Sequence, residues 1–139
     1  IMIIPEQASF QQVHNVMLTS DFKDTIKTTP SVPIKDFLGV FNPKLHVVNV
    51  DKDHYISLTT NDEKEKQHLA QMFEEYHPEF YFMRLYDVDE ALNLFAQDKG
   101  IDLLIVIRRD ESFIQKLFKP SHTKALSYQS KIPILVMHE

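Results

Sequence analysis

Two short apolar runs near the carboxyl end constrain the fold of this chain more than any other feature. Residues 101–107 read IDLLIVI, and residues 132–137 read IPILVM. Such nearly unbroken runs are typical of strands buried on both faces of a parallel sheet. The segment between them carries apolar side chains at helical spacing, namely Phe113, Ile114, Leu117 and Phe118. The sequence therefore predicts a strand–helix–strand unit, which is a building block of α/β folds.

The preceding part of the chain repeats this alternation of strands and helices. Further strands are predicted at residues 15–20 (NVMLTS), 45–50 (LHVVNV) and 80–86 (FYFMRLY). Helices are predicted at 33–41, 61–77 and 87–97, and a polar loop at 21–31. Short connections between alternating elements favour a parallel sheet with helices on both faces. We therefore expect a Rossmann-like, three-layer α/β/α sandwich whose five parallel strands, with the first one central, have the order 3-2-1-4-5.

The helix predicted at 61–77 has the clearest amphipathic pattern in the chain. Its first turns are charged and read EKEK at residues 63–66. Its later turns place one apolar stripe toward the sheet, formed by Leu69, Met72, Phe73 and Tyr76. In the helix predicted at 87–97, Ala91, Leu92 and Phe95 point inward, and Gly100 stands where a helix ends.

Composition and charge limit the classes of function. The 139 residues suffice for one domain with a core. A net charge of −5 gives no electrostatic case for binding nucleic acid or an anionic membrane, and we expect neither as a partner. The chain has no cysteine, which excludes disulfides and thiolate chemistry and fits a cytoplasmic location. No apolar run approaches the ~20 residues that a membrane-spanning helix needs.

The amino-terminal residues resemble the carboxyl-terminal ones. Residues 1–6 read IMIIPE and residues 134–139 read ILVMHE, so that four apolar residues are followed by one other residue and a glutamate in both. We therefore expect residues 1–14 to be the last strand of a preceding domain plus a linker, and residues 15–139 to be the α/β domain. The last strand would be a sheet edge, and an exposed apolar edge needs a cover. Residues 1–5 are a candidate for that covering strand.

The predicted ligand crevice lies beyond the carboxyl ends of the strands, where the strand order reverses. Residues 19–21, 47–51 and 108–110 would line it. Within this set, two interpretations of Asp21 are open: it accepts a hydrogen bond from a ribose or adenine, or it caps a helix or pairs with an arginine. Two interpretations of Arg108 and Arg109 are open as well. They either clamp an anion through their guanidinium groups, or one fills the pocket and pairs with an aspartate while the other is solvated.

Metal and hydrolase sites are not expected. The seven histidines include no pair at i, i+4 spacing. Asp51, Asp53 and His54 cluster after the second strand, where a solvated turn is favoured over a loose metal site. With two glycines in the whole chain, no G-x-S-x-G elbow is possible at a candidate nucleophile.

Several segments in the expected order and spacing resemble the universal stress protein family. VMLTSDF at 16–22 and LHVVNVD at 45–51 are similar to its first two strands. DVDEALNLFAQDKGIDLLIVI at 87–107 is similar to its third helix and fourth strand, and PSHTKALSYQSKIPILVM at 120–137 to its last helix and strand. The chain also resembles the second half of tandem two-domain members. The resemblance implies a domain that pairs with a like domain, in the same polypeptide or in a homodimer, through the last strand.

The resemblance also implies a degenerate nucleotide site. Nucleotide-binding members carry G-x2-G-x9-G-[ST] after the fourth strand, and the matching positions here are Ile107, Asp110, Pro120 and Ser121. Side chains at the first two take up space that a phosphate needs, and Asp110 adds negative charge. Pro120 has no N–H to donate. At the adenosine end, Asp21 and the backbone of Val47 still match.

We therefore expect no cofactor and no enzymatic activity, but a regulatory or scaffolding domain. The alternative is a small-ligand module that holds an adenine nucleotide (ATP or AMP) or another anion with the candidate residues Asp21, Val47, Arg108, Arg109 and Ser121. Slow nucleotide hydrolysis is a third class, and it would need a phosphate loop or a metal site that the sequence does not show.

Overall fold

One mixed sheet of six strands organises the protein in the computed structural model, which describes residues 2–3, 12–20, 22, 24–51, 60–84, 95–108 and 132–138. The strands are β1 (Met2–Ile3), β2 (Asn15–Ser20), β3 (Lys44–Asp51), β4 (Glu79–Arg84), β5 (Leu103–Arg108) and β6 (Ile134–His138). Their order across the sheet is β1-β6-β5-β2-β3-β4. Strands β2 to β6 run parallel to their neighbours, and β1 runs antiparallel to β6.

The predicted topology is confirmed. Counted from Asn15, the five parallel strands follow the order 3-2-1-4-5, with β2 in the centre. The additional edge strand expected from residues 1–5 is also present, because Met2 pairs with Leu135 and Ile3 with Ile134. Whether residues 1–14 belong to a preceding domain stays a prediction.

The helices differ in detail from their predicted bounds. They are α1 (Thr25–Thr28), α2 (Ser31–Phe41), α3 (Thr60–Met72), a 3-10 turn (Glu74–Tyr76) and a helical segment at residues 95–99. The loop predicted at 21–31 thus contains α1, and α2 begins two residues before Pro33. Pro33 is tolerated there because the first N–H groups of a helix have no intrahelical acceptor. The helix predicted at 61–77 ends at Met72, and His77 closes the following turn with a φ of 49°.

The core lies on both faces of the sheet because side chains alternate along each strand. Val16 and Leu18 of β2 face α2 and α3, while Met17 faces the segment 95–99. The predicted stripe of α3 is confirmed at Leu69 and Phe73, which are fully buried. The carboxyl ends of the central strands are therefore held by packing on two sides.

Candidate functional site

The candidate site is the carboxyl edge of β2, where the sheet order reverses. Strand β2 pairs with β3 on one side, up to Ser20 opposite Asn49, and with β5 on the other, up to Thr19 opposite Val106. In open α/β sheets, ligands bind in a crevice beyond the carboxyl ends of the strands at this point. The ends of β2, β3 and β5 lie together here, and the crevice between them stays a prediction.

Hydrogen bonds join the strand ends below this crevice. The Asn49 side-chain amide donates to the Ser20 carbonyl oxygen at 2.9 Å. The Phe22 N–H donates to Ser20 Oγ at 3.2 Å, and Thr19 Oγ1 donates to the Ile105 carbonyl oxygen at 3.5 Å. These hydrogen bonds join the carboxyl ends of β2, β3 and β5 at the predicted position of the crevice.

Phe22 anchors the chain where it leaves β2. Its ring is 2% exposed and meets the rings of Phe80 and Phe82 edge-on, at centroid distances of 6.2 and 5.3 Å. Its backbone has a φ of 58°, a left-handed conformation that costs a non-glycine residue about 1–2 kcal/mol. Burial of the ring offsets this cost, and the turn after Asp21 is fixed by an aromatic contact.

Glu65 of α3 holds the start of α1 beside the crevice. Its Oε2 accepts hydrogen bonds from the Thr25 N–H, at 2.8 Å, and from Thr25 Oγ1. The side chain of Glu65 is buried, with His68 Nδ1 at 3.6 Å. Burial raises the pKa of the Glu65 carboxyl group, but the bonds from Thr25 and the nearby His68 outweigh it, and the net pKa lies below its ordinary value.

Sequence reasoning missed Glu65, because the run EKEK reads as a charged surface. One signal could have found it: Glu65 stands four residues before Leu69, on the buried face of the helix. A lone acid on the apolar face of a helix needs a buried donor, and Thr25 supplies two.

The described residues include two of the five predicted site residues. Val47 is fully buried and pairs with Leu18 and Phe80, so only its backbone could meet a ligand. Arg108 is the last residue of β5 and pairs with His138 of β6. Asp21, Arg109 and Ser121 lie outside the described residues, and so do Asp110, Pro120, Asp53 and His54. The predicted roles of these residues remain predictions.

In the part of the chain that the structure describes, no group of three or more His, Cys, Asp or Glu side chains could hold a metal ion. In that same part, no helix has the length and apolar character needed to cross a bilayer.

The strand order and directions define a doubly wound α/β domain with an antiparallel strand on one edge. The model of the universal stress protein family matches residues 41–138, more than two thirds of the chain. The chain therefore belongs to the universal stress protein family.

Solved structures of low sequence identity share this fold. A universal stress protein in complex with cAMP is 18% identical, with a TM-score of 0.57 over 92% of this chain and 98% of that one. A family member from Burkholderia pseudomallei is 13% identical, with a TM-score of 0.58 over 90% and 96%. A universal stress protein from Archaeoglobus fulgidus DSM 4304 is 14% identical, with a TM-score of 0.57 over 90% of this chain but 44% of that one. No curated protein matches this chain in sequence.

Proposed function

We propose that this chain is a regulatory or scaffolding domain that pairs with a like domain and has lost the family type of ATP binding. The observation that carries the proposal is the antiparallel pairing of β1 with β6. This pairing places a strand of opposite direction at the edge of an otherwise parallel sheet. A strand in that position is what a neighbouring domain would contribute if the two associated edge to edge.

Loss of ATP binding is supported by the residue at the end of β5. Ile107, which stands where nucleotide-binding members of the resembled family carry glycine, packs its side chain against the core below α2 and α3. It pairs with Met137 of β6 in the parallel ladder. An isoleucine engaged in the core leaves no room for a phosphate to approach its backbone as it would at glycine.

The tandem arrangement is part of the same proposal. The echo between residues 1–6 and 134–139 supports it, as does the match to less than half of the longer Archaeoglobus fulgidus chain. In this arrangement β1 is the last strand of a preceding domain, and residues 4–14 link it to β2.

Calorimetric titration with MgATP tests the loss of nucleotide binding. We expect no binding tighter than a Kd of about 1 mM, roughly −4 kcal/mol. A triple variant with Ile107→Gly, Asp110→Gly and Pro120→Gly should gain affinity, because it restores close backbone approach. The matched control replaces the same three residues with alanine, which removes bulk and charge but not the backbone restriction. Micromolar binding of ATP by the unmodified chain would refute the proposal.

Disruption of β1 tests the pairing. The double variant Met2→Pro, Ile3→Pro removes both N–H groups that could donate to β6. We expect the uncovered edge to recruit a second copy, so that the mass from light scattering rises toward that of a dimer. The control Met2→Val, Ile3→Val keeps both donors and should keep the unmodified mass. Equal masses for the two variants at every concentration would contradict a role for this edge in association.

One observation favours a second function, a small-ligand module. A protein of the same fold was solved with cAMP, a compact adenine nucleotide that needs no triphosphate loop. In this alternative, Asp21, Arg108, Arg109 and Ser121 would hold the ligand around the end of β5. Titration with cAMP should then give heat that Arg108→Ala and Arg109→Ala abolish. Unchanged affinity in both variants would remove the alternative.

We also propose that the chain is not an enzyme, since no phosphate loop is present in its sequence. Incubation with ATP should release no more phosphate than the Asp21→Ala variant does. Release above that control would contradict this part of the proposal.

A further inference from the structure

A buried histidine stands at the opposite, amino end of the sheet. His46 of β3 is 4% exposed and lies under two aromatic rings. The Tyr81 ring stacks on the imidazole at a centroid distance of 6.0 Å, and the Phe95 ring meets it edge-on at 6.2 Å. Tyr81 and Phe95 also contact each other at 4.8 Å, so the three rings form one cluster between β3, β4 and the segment 95–99.

The two nitrogens of this imidazole differ in their hydrogen bonding. Nε2 lies 3.1 Å from Asn15 Oδ1. An amide oxygen can only accept, so Nε2 carries the proton and Nδ1 presents a bare lone pair. Among the described residues, Nδ1 is buried without a hydrogen-bond partner. The neutral imidazole therefore has one place where a proton can be added, and that place is inside the core.

Burial opposes that addition more than any charge does, and the charges around His46 are of both signs. Lys44 of β3 and Lys99 of the segment 95–99 are positive, and Glu79 of β4 is the facing carboxylate. Glu79 is already engaged by Lys44 Nζ and by the Tyr81 hydroxyl, each at 2.6 Å. These contacts lower the pKa of Glu79 to about 2 and raise the pKa of Tyr81 to about 12. Burial lowers the pKa of His46, Glu79 raises it, and the two lysines lower it again, with a net decrease.

One of the elements that cover His46, strand β4, lies at an edge of the sheet. Strand β4 is the outermost parallel strand, and β3 is its one partner strand in the described sheet. The Lys44–Glu79 ion pair is about half exposed on both sides, where such pairs contribute little. By contrast, β2 is fastened to β5 independently of His46: the Asn15 N–H donates to Asp102 Oδ2, and the Asp102 N–H donates to the Asn15 carbonyl oxygen.

We propose that His46 is a proton-operated switch, in which protonation of Nδ1 at mildly acidic pH releases β4 and the segment 95–99 from the amino end of β3 while β2 and β5 stay paired. Burial under Tyr81 and Phe95 and the two lysines disfavour the imidazolium, and Glu79 offsets only part of this, whereas the imidazolium is stable once water reaches it.

The sign of the effect follows from linkage. In the closed form His46 binds its proton less readily than in water, so the open form holds more protons below the ordinary value of 6.5. Each further pH unit then favours the open form about tenfold, until the closed form is protonated as well. Above pH 6.5 both forms are neutral at His46, and pH has no effect through this group.

Hydrogen exchange measured by NMR on the full chain tests the proposal. Protection factors, corrected for intrinsic exchange, should fall about tenfold per pH unit below 6.5 at residues 79–84 and 95–99, and stay constant in β2 and β5. The variant His46→Gln cannot titrate and should lose this slope. His14→Gln, at an exposed histidine, should keep it. The same slope in His46→Gln as in the unmodified chain would overturn the proposal.

A second measurement needs no substitution. In the unmodified chain with ¹⁵N-labelled histidine, the His46 shifts should report the Nε2–H form at neutral pH and a titration midpoint below 6.5. A midpoint at or above 6.5, or a protonated Nδ1 at neutral pH, would overturn the proposal even if the glutamine variant failed to fold.

Discussion

Replacement of Phe22 with alanine should lower the free energy of unfolding by about 3–5 kcal/mol, the range for removing a large buried aromatic side chain. The ring is nearly inaccessible and contacts both Phe80 and Phe82. Its loss would leave a cavity beside the carboxyl end of β2 and free the turn that follows. Urea denaturation followed by circular dichroism gives the change as a shift in midpoint at constant slope.

The backbone of Phe22 supplies a sharper test through a second variant. In most places glycine is less stabilising than alanine, but a φ of 58° reverses the order, since only glycine adopts it without cost. Phe22→Gly should therefore be more stable than Phe22→Ala by about 1 kcal/mol. The matched control Phe22→Leu keeps most of the apolar volume, so it should lose less stability than the glycine or the alanine variant. If Phe22→Gly were less stable than Phe22→Ala, the result would contradict the left-handed backbone conformation of Phe22.

Replacement of Glu65 with alanine should cost about 2–4 kcal/mol, the second large effect. Two donors of Thr25 would be left buried and unpaired, at about 1–3 kcal/mol each before relaxation. In the control Glu65→Gln, the side-chain amide keeps an accepting oxygen. This variant should therefore lose less stability than Glu65→Ala. In a double-mutant cycle, the losses of stability caused by Glu65→Ala and Thr25→Val should not add, because Glu65 acts through Thr25. Additive losses in the cycle would show that Glu65 is stabilised by something else.

The same residue makes stability depend on acid. The folded-state pKa of Glu65 lies below its ordinary value of 4.5, so its contribution is complete above pH 4.5 and is lost as pH falls through the folded pKa. Glu65→Gln should flatten this part of the pH profile of stability and leave the slope near neutral pH unchanged.

Most of the fold could be predicted, because its strands are marked by local patterns. The apolar runs at 101–107 and 132–137 became β5 and β6, and β2 has the bounds that its sequence indicates. The stripe that starts at Leu69 gave the orientation of α3. Helix α1 could not be predicted in this way. It spans four residues, and its Thr25 is held by a glutamate 40 positions away, which no local pattern contains.

The site could be predicted only in outline. The crevice follows from strand order alone, and the structure has the ends of β2, β3 and β5 together as expected. The contacts near it were not predicted, because Phe22 reads as a loop aromatic, and Glu65 reads as a surface acid unless its spacing from Leu69 is considered. The contacts of both residues depend on their burial, which is set by residues distant in the chain.

The bond between Thr25 and Glu65 also has a kinetic consequence. Because it closes a long loop, it cannot form until α3 has docked on β3, and α1 alone is too short to persist in water. During refolding α1 should therefore become ordered after the transition state, late in the sequence of events. Substitution of Thr25 would then accelerate unfolding and leave the refolding rate nearly unchanged.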